Sequence, residues 1–287
     1  MTVASSLTGL SLNALRTGLE SSFQSGVVAL PVLPQVAARV MTMANDPNAD
    51  VADLSDLIHQ DQSLAGNVLR IANSAAYCVG EPVVSLRQAV MRLGMTLLSE
   101  IAVTACLMGE NFRTPGYESL RKKLLVHAFI AGGFAKELAR QKRRNVEAMF
   151  LCGLLHSIGK PVALRLICNL QADSRSQITE TDIEGLVNQY HTRAADLVMQ
   201  AWDLPEQVRL TTLHHPDPES APAFQDESRM TRLAASLADC VVDPEPVDEN
   251  TLRGFPDWEP LNFYPDDVEA VLARREALEK SATVFMS

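Results

Sequence analysis

The residues best suited to chemistry lie in one apolar run and in several similar stretches. Within residues 154–160, His156, Ser157 and Lys160 interrupt a sequence that is otherwise apolar. On a helix, His156 and Lys160 would lie one turn apart on the same face. Buried polar groups need partners, so we expect these side chains to meet others in the core. Four more histidines sit in or at the end of apolar helical patterns: His127, His191, His214 and His215.

Two kinds of site could use these histidines. Imidazole nitrogens suit zinc, iron or nickel, so a single divalent metal ion is one interpretation. Its candidate ligands are His127, His156, His191, His214, His215 and Asp239. The other is a core hydrogen-bond network, in which histidines donate to backbone carbonyls or to Asp239 and Lys160 caps carbonyl groups. Because buried histidines are more often satisfied in that way, we favour the network and expect no resident cofactor.

Composition places the chain among globular proteins and argues against several classes of function. Its 287 residues are 47% apolar and 21% charged, with a net charge of −10. Such an acidic protein does not bind nucleic acid through bulk charge. The five cysteines are scattered, without a Cys-x-x-Cys pair, which favours a reducing compartment. We see no signal peptide and no uninterrupted apolar run of span length, so we expect a cytoplasmic protein without membrane contact.

One basic run stands out against this acidic background. It comprises Lys136, Arg140, Lys142, Arg143 and Arg144. Cations near a helix C-terminus complement the helix dipole. We therefore interpret the run as a solvated helix end.

The hydrophobic pattern predicts an all-α fold, because no long run alternates with period two. Asp50 and Ser85 are expected helix N-caps, and Gly94 is expected to end a helix. A long helix is predicted over 117–141, where Gly132 and Gly133 allow another helix to approach closely. Further helices are predicted over 146–170, with Pro161 kinking or ending the first segment, and over 179–190, 191–203, 227–241 and 265–280.

An ordered set of short motifs carries a family resemblance. In chain order they are Leu30-Pro31, Leu33-Pro34, Asp46-Pro47, Leu57-Ile58, Asp61, Leu69, Ala72-Asn73-Ser74, Ser85-Leu86, Ala89-Val90 and Leu93-Gly94. Together they resemble the HDOD domain, the "HD-related output domain" of bacterial signalling proteins, and the second half resembles its HD phosphohydrolase-like core. The resemblance implies a multi-helix HD-like bundle preceded by an N-terminal helical bundle.

This resemblance divides the chain into three parts. An N-terminal helix (1–24) would precede an HDOD domain (25–222), itself divided near Pro115-Gly116 into an N-terminal bundle (25–114) and an HD-like half (115–222). A helical extension (223–287) would follow, and could complete the HD-like core.

The related hydrolases use a first histidine, a His-Asp pair, further histidines and a late aspartate. By position, the resemblance assigns these roles to His127, His156, His191, the pair His214-His215, and Asp239. The pair's aspartate is replaced by Ser157, within the remnant motif His156, Ser157, Gly159 and Lys160. A two-metal hydrolase needs a carboxylate that bridges its ions, and serine offers none. The Gly-Tyr-Pro segment of the cyclic-dinucleotide class is also missing after the paired histidines. We therefore expect no catalytic residues.

The expected function is non-catalytic bacterial signal transduction through protein–protein contacts. The family implies partners among signalling proteins, such as receiver domains or components of cyclic-dinucleotide pathways. The N-terminal bundle is the expected contact surface, and the last helix could pack back or form a homodimer. The alternatives are a degenerate metal-dependent phosphohydrolase, or a module that senses a nucleotide or metal in the old catalytic pocket.

Overall fold

The structure is a computed structural model that describes residues 12–25, 30, 36, 39–40, 43, 50–74, 80–109, 112–171, 178–202, 204–242 and 247–286. Within those ranges the regular structure is helical and contains no strand, which confirms the all-α prediction. Most of the motif string from Leu30-Pro31 to Asp46-Pro47 lies outside the described residues.

The helices are numbered in chain order. They are α1 (Leu12–Ser25), α2 (Val51–His59), α3 (Gln62–Ala72), α4 (Leu86–Met108), α5 (Glu118–Gln141), α6 (Val146–Leu155), α7 (Gly159–Gln171), α8 (Glu180–Ala201), α9 (Glu206–His214), α10 (Gln225–Val242), α11 (Glu249–Arg253), α12 (Pro265–Leu272) and α13 (Arg275–Met286). A single 3₁₀ turn, Pro218–Ser220, separates α9 from α10.

The first bundle begins and turns where local chemistry predicts. The Asp50 carboxylate accepts from the Ala52 amide, and the Ser85 hydroxyl accepts from the amide of Gln88, as expected for N-caps. Gly94 has φ 78° and ψ 164°, a conformation that favours glycine, so it breaks α4 as predicted. The Asn73 side chain closes the following loop by bonding both backbone groups of Val83.

The second bundle is built on a close crossing of α5 and α6. A Cβ added to Gly153 would lie 2.6 Å from the Ala131 carbonyl oxygen and 2.7 Å from the Gly132 Cα. Glycine is therefore needed at this crossing, which supports the close approach predicted at Gly132. Because α6 has no exposed face, it forms the centre of the core.

Two boundaries differ from the sequence prediction. α6 ends at Leu155 and α7 begins at Gly159, so Pro161 lies in the first turn of α7 and does not end a helix. Proline is tolerated there because first-turn amides have no intrahelical partner. The two helices expected over 179–190 and 191–203 are the single helix α8, since no glycine or proline interrupts the chain near His191.

Helix α1 packs on the second bundle, against α7 and α8. Leu15 and Leu19 are fully buried, and the Phe23 ring stacks on Tyr190 with their centroids 5.7 Å apart. Arg193 covers the other side of this contact, with its guanidinium 4.8 Å from the Phe23 ring centroid and 2.9 Å from the Glu20 carboxylate.

The C-terminal residues pack on the same bundle. α10 lies along α5, and α13 reaches it through Leu278, which packs on Gly133. The Arg275 guanidinium donates to the Cys240 carbonyl, which joins α13 to the end of α10. The helix predicted over 265–280 is divided into α12 and α13 at residues 273–274.

Three cations of the basic run contact other parts of the fold. Lys136 pairs with Glu100 of α4, and Glu100 is buried. Lys142 donates to the Asn262 carbonyl at 2.5 Å, and Arg144 contacts Asp226 of α10 at 3.0 Å. The helix does end within this run, at Gln141, and Arg144 is exposed as expected, whereas Lys136 is largely covered and pairs with a buried carboxylate.

One segment has the length and composition of a membrane span. Val146–Gln171, which covers α6 and α7, passes that test, although charged residues such as Lys160 and Arg165 interrupt its apolar run. However, 89% of its most apolar window is buried inside the protein. Its apolar character is accounted for by its place in the core.

Candidate functional site

Three helices bring three of the predicted histidines together. The α5–α6 crossing at Gly132 and Gly153 sets His127, on α5, beside His156, which follows α6 directly. The centroids of these two rings are 5.2 Å apart. His215, at the end of α9, lies on the other side of His156 with its ring centroid also at 5.2 Å.

Two of these imidazoles have a fixed tautomer. His156 Nδ1 lies 2.6 Å from the Gly153 carbonyl oxygen, and His215 Nδ1 lies 2.8 Å from that of Thr212. A carbonyl oxygen can only accept, so each Nδ1 carries the proton and each Nε2 keeps a lone pair. In both rings Nε2 is therefore the nitrogen that can bind a metal or accept another proton.

Burial lowers the pKa of His156, His215 and His191. The pKa of His156 lies well below its ordinary value because of burial, with smaller contributions from His215 and His127. Burial lowers the pKa of His215 to about 4 and also lowers the pKa of His191. The positive charge of Lys160 adds to the lowering in all three histidines. Burial is the main cause in each case, and Lys160 makes the positive form of each ring less favourable still.

The contact between His127 and Asp239 is close but poorly directed. His127 Nε2 lies 2.8 Å from Asp239 Oδ1, yet this buried nitrogen makes no hydrogen bond. The distance is short enough for a hydrogen bond, so the direction must be unsuitable, because a hydrogen bond weakens steeply when the acceptor leaves the N–H axis. The Asp239 side chain is 74% exposed, so it lies at the mouth of the site.

The other two predicted histidines make contacts outside these three rings, although the charge of His191 still helps to lower the pKa of His215. His214 Nδ1 is 3.1 Å from the Ser220 hydroxyl, in an exposed contact on the 3₁₀ turn. The His191 backbone carbonyl packs on Gly159, where an added Cβ would approach to 1.8 Å. In the part of the chain that the structure describes, no three His, Cys, Asp or Glu side chains are placed to hold one metal ion.

A cleft of about 380 Å³ opens beside the cluster. His127, Ser157, Lys160 and Asp239 line it, together with three polar residues that the sequence argument missed: Lys123, Glu184 and Asn188. Spacing could have found these three. Lys123 precedes His127 by one helical turn, and Glu184, Asn188 and His191 follow one stripe of α8.

Ser157 forms the buried floor of this cleft. It is 5% exposed, and its hydroxyl has no hydrogen-bond partner among the described residues. The Lys160 ammonium group likewise forms no ion pair within the described ranges. A hydroxyl and a cation that line one cleft without partners can bind an oxygen-rich anion.

Comparison with known proteins gives one family. The family model described as "HDOD domain" matches residues 30–218. An uncharacterized protein of Treponema pallidum (strain Nichols) is 25% identical over 217 residues, which are 72% of this chain and 41% of that protein. The chain thus spans less than half the length of this relative.

Solved structures share the fold along most of the chain. An HDOD domain protein of unknown function from Geobacter sulfurreducens has a TM-score of 0.68 at 25% identity, covering 94% of this chain and 96% of its own. A Shewanella amazonensis SB2B protein, provisionally named a metal-dependent phosphohydrolase, has a TM-score of 0.65 at 20% identity, covering 94% and 99%. A Marinobacter aquaeolei VT8 protein, provisionally named for signal transduction, has a TM-score of 0.67 at 22% identity, covering 98% and 68%.

Proposed function

Because this chain belongs to the HDOD domain family, we propose that it is a cytoplasmic regulatory protein that acts through contacts with other signalling proteins and without catalysis. The observation that carries this proposal is Ser157, which forms the floor of the cleft where a hydrolase of this type needs a carboxylate. Its partners would be receiver proteins, components of cyclic-dinucleotide pathways, or a second copy in a homodimer.

The charges around the cleft also argue against hydrolysis. Two metal ions need several anionic ligands to offset their charge. Here the carboxylates that line the cleft, Glu184 and Asp239, are exposed, while Lys160 lies deeper and raises the local potential.

The histidines fit a metal ion in chemistry but not in arrangement. His156 and His215 have suitable tautomers, and the buried His127 Nε2 makes no hydrogen bond. However, no three donors of the described chain converge on one point. A single ion would require side chains to move against the field of Lys160, so we derive no step through a metal.

Substitution of Ser157 tests this proposal. Ser157→Asp would restore a carboxylate beside His156, and Ser157→Asn is a control of similar size without charge. We expect wild-type protein, purified without tag or added metal, to hold far less than one equivalent of zinc, iron or nickel by elemental mass spectrometry. We expect only Ser157→Asp to gain a bound ion. One equivalent in the wild type, lost in His156→Ala, would contradict the proposal.

A second candidate function is a sensor of a phosphate-bearing ligand. It is favoured by the unpartnered Ser157 hydroxyl and Lys160 ammonium in a cleft whose volume suits a small ligand. Such a ligand would raise the melting temperature, because it binds the folded state. Inorganic phosphate, GMP and cyclic di-GMP are suitable probes. A stabilisation lost in Lys160→Met but kept in the exposed control Lys122→Met would support a sensor, whereas equal effects in both variants would contradict it.

A further inference from the structure

A second pocket lies outside the residues that match the family. It has a volume of about 440 Å³ and is formed by the segment that joins α11 to α12 and by α12 itself. Three aromatic residues line it: Trp258, Phe263 and Tyr264. Trp258 and Phe263 are largely buried and meet edge to face, whereas the Tyr264 side chain is 73% exposed at the rim.

Several contacts hold this pocket in shape. The buried Asp257 carboxylate receives two bonds from Arg232 of α10, Nε to Oδ2 at 2.9 Å and Nη2 to Oδ1 at 2.5 Å. The Trp258 indole donates to the Leu252 carbonyl at 2.8 Å. The amide of Tyr264 donates to the Asp267 carboxylate at 3.1 Å. A pocket that is already formed loses less freedom when it binds a partner.

One of the aromatic rings of the pocket already contacts a cation. The ammonium group of Lys142 lies 4.2 Å from the centroid of the Phe263 ring and donates to the neighbouring Asn262 carbonyl. Aromatic faces attract cations, most strongly where water is excluded. The exposed ring of Tyr264 offers another such face, which no cation within the described ranges covers.

The surrounding charge is strongly negative. Residues 247–269 contain seven acidic residues and one arginine, a net charge of −6 against −10 for the whole chain. Arg253 is paired with Glu269 at the pocket wall, so its charge is offset. Glu259 lines the pocket and forms no ion pair with any described residue. The free groups of the pocket are therefore an aromatic face and a carboxylate.

We propose that this pocket is the docking site for a basic segment of a partner protein. An arginine or lysine would lie on the Tyr264 ring and pair with Glu259, while an adjacent apolar side chain would enter toward Trp258. The negative segment would steer the partner and raise its rate of association. This inference rests on the proposed regulatory function, for which it names a surface and a partner chemistry, and it differs from the expectation that contact is made by the N-terminal bundle.

A defined peptide tests the surface. The probe is a ten-residue peptide with three arginines and two leucines, and its control has citrulline, a neutral analogue, at each arginine. Binding to the full chain would be measured by isothermal titration calorimetry. We expect binding of the arginine peptide to weaken about 2- to 5-fold in each of Tyr264→Ala and Glu259→Gln, and on the order of tenfold in the double variant.

Two variants control for bulk charge and for exposed apolar area. Glu81→Gln removes one exposed carboxylate elsewhere, and Met91→Ala removes an exposed apolar side chain on α4. Both should bind the peptide as the wild type does. Equal binding by all variants, equal binding of the citrulline peptide, or no binding at millimolar concentration would each overturn the docking site.

The oligomeric state adds one more outcome. Light scattering could show that the wild type is a dimer and that Tyr264→Ala dissociates it. That result would assign the pocket to a second copy of the chain and overturn the proposal that it binds a different protein. A failure of this kind leaves the proposed function standing. Phosphodiester hydrolysis lost in His156→Ala would instead overturn the regulatory proposal, whatever the peptide does.

Discussion

Replacing Gly153 with alanine tests the helix crossing that places His127 beside His156. The new Cβ would lie 2.6 Å from the Ala131 carbonyl oxygen, and ordinary contact begins at 3.4 Å. Backbone must therefore retreat by about 0.8 Å, because no flexible side chain is there to yield. Overpacking of this kind costs about 1–3 kcal/mol, while alanine regains about 0.5–1 kcal/mol of helix propensity. We expect a net loss of up to about 2.5 kcal/mol, and of about 1 kcal/mol at the middle of the two ranges.

The assay is urea denaturation followed by circular dichroism, with two alanine variants as matched controls. Gly66 and Gly185 are also interior helix positions, but an added Cβ would meet nothing within 4 Å. Their alanine variants should gain up to about 1 kcal/mol. A loss of stability in Gly153→Ala beside a gain in both controls would identify the effect of the helix crossing. A Gly153→Ala protein as stable as the wild type, measured beside stabilised controls, would refute the packing argument.

Three further predictions follow from the buried polar groups. Lys136→Met should destabilise the protein by about 2–3 kcal/mol near pH 7, because it leaves the buried Glu100 carboxylate without its cation. Burial raises the pKa of Glu100, so the loss of stability measured by urea denaturation should shrink as the pH falls toward 4.5. A loss that stays constant with pH would contradict this. Burial lowers the pKa of His215 to about 4, so the unfolded chain binds a proton that the folded chain does not, and the free energy of unfolding should fall between pH 6.5 and about 4. A His215→Gln variant should show a weaker fall, and a fall as large as that of the wild type would argue against a buried neutral ring. The Cys152 thiol, whose pKa burial raises to about 12, should resist alkylation at pH 8 until the protein unfolds, as peptide mapping would show, and ready labelling of the folded protein would be inconsistent with its burial.

Local signals predicted the helices well where they depend on neighbours in sequence. The caps at Asp50 and Ser85 and the break at Gly94 follow from hydrogen bonds and backbone angles within a few residues. Boundaries set by tertiary contacts were predicted wrongly. The chain turns at residues 156–158, before Pro161, where α7 must start against α8 with Gly159 packed on the His191 carbonyl.

The residues of the candidate site were likewise predicted only in part. The sequence pointed to the histidines of the cluster because each interrupts an apolar pattern. It could not decide between His214 and His215, since consecutive residues at a helix end point in different directions and the choice depends on how α9 is rotated in the fold. In the same way, the rotations of α5 and α8 place Lys123 and Asn188 on the cleft, and the sequence carries that information only as spacing along these two helices.

The most direct test of the central claim is hydrolysis of bis(p-nitrophenyl) phosphate by wild-type protein supplied in turn with manganese, iron, zinc and nickel. His156→Ala serves as the control, because it removes the central imidazole of the cluster. The absence of a carboxylate at Ser157 predicts that the two proteins release p-nitrophenol at the same background rate with every metal. Turnover by the wild type that His156→Ala abolishes would contradict the account and make this protein an enzyme.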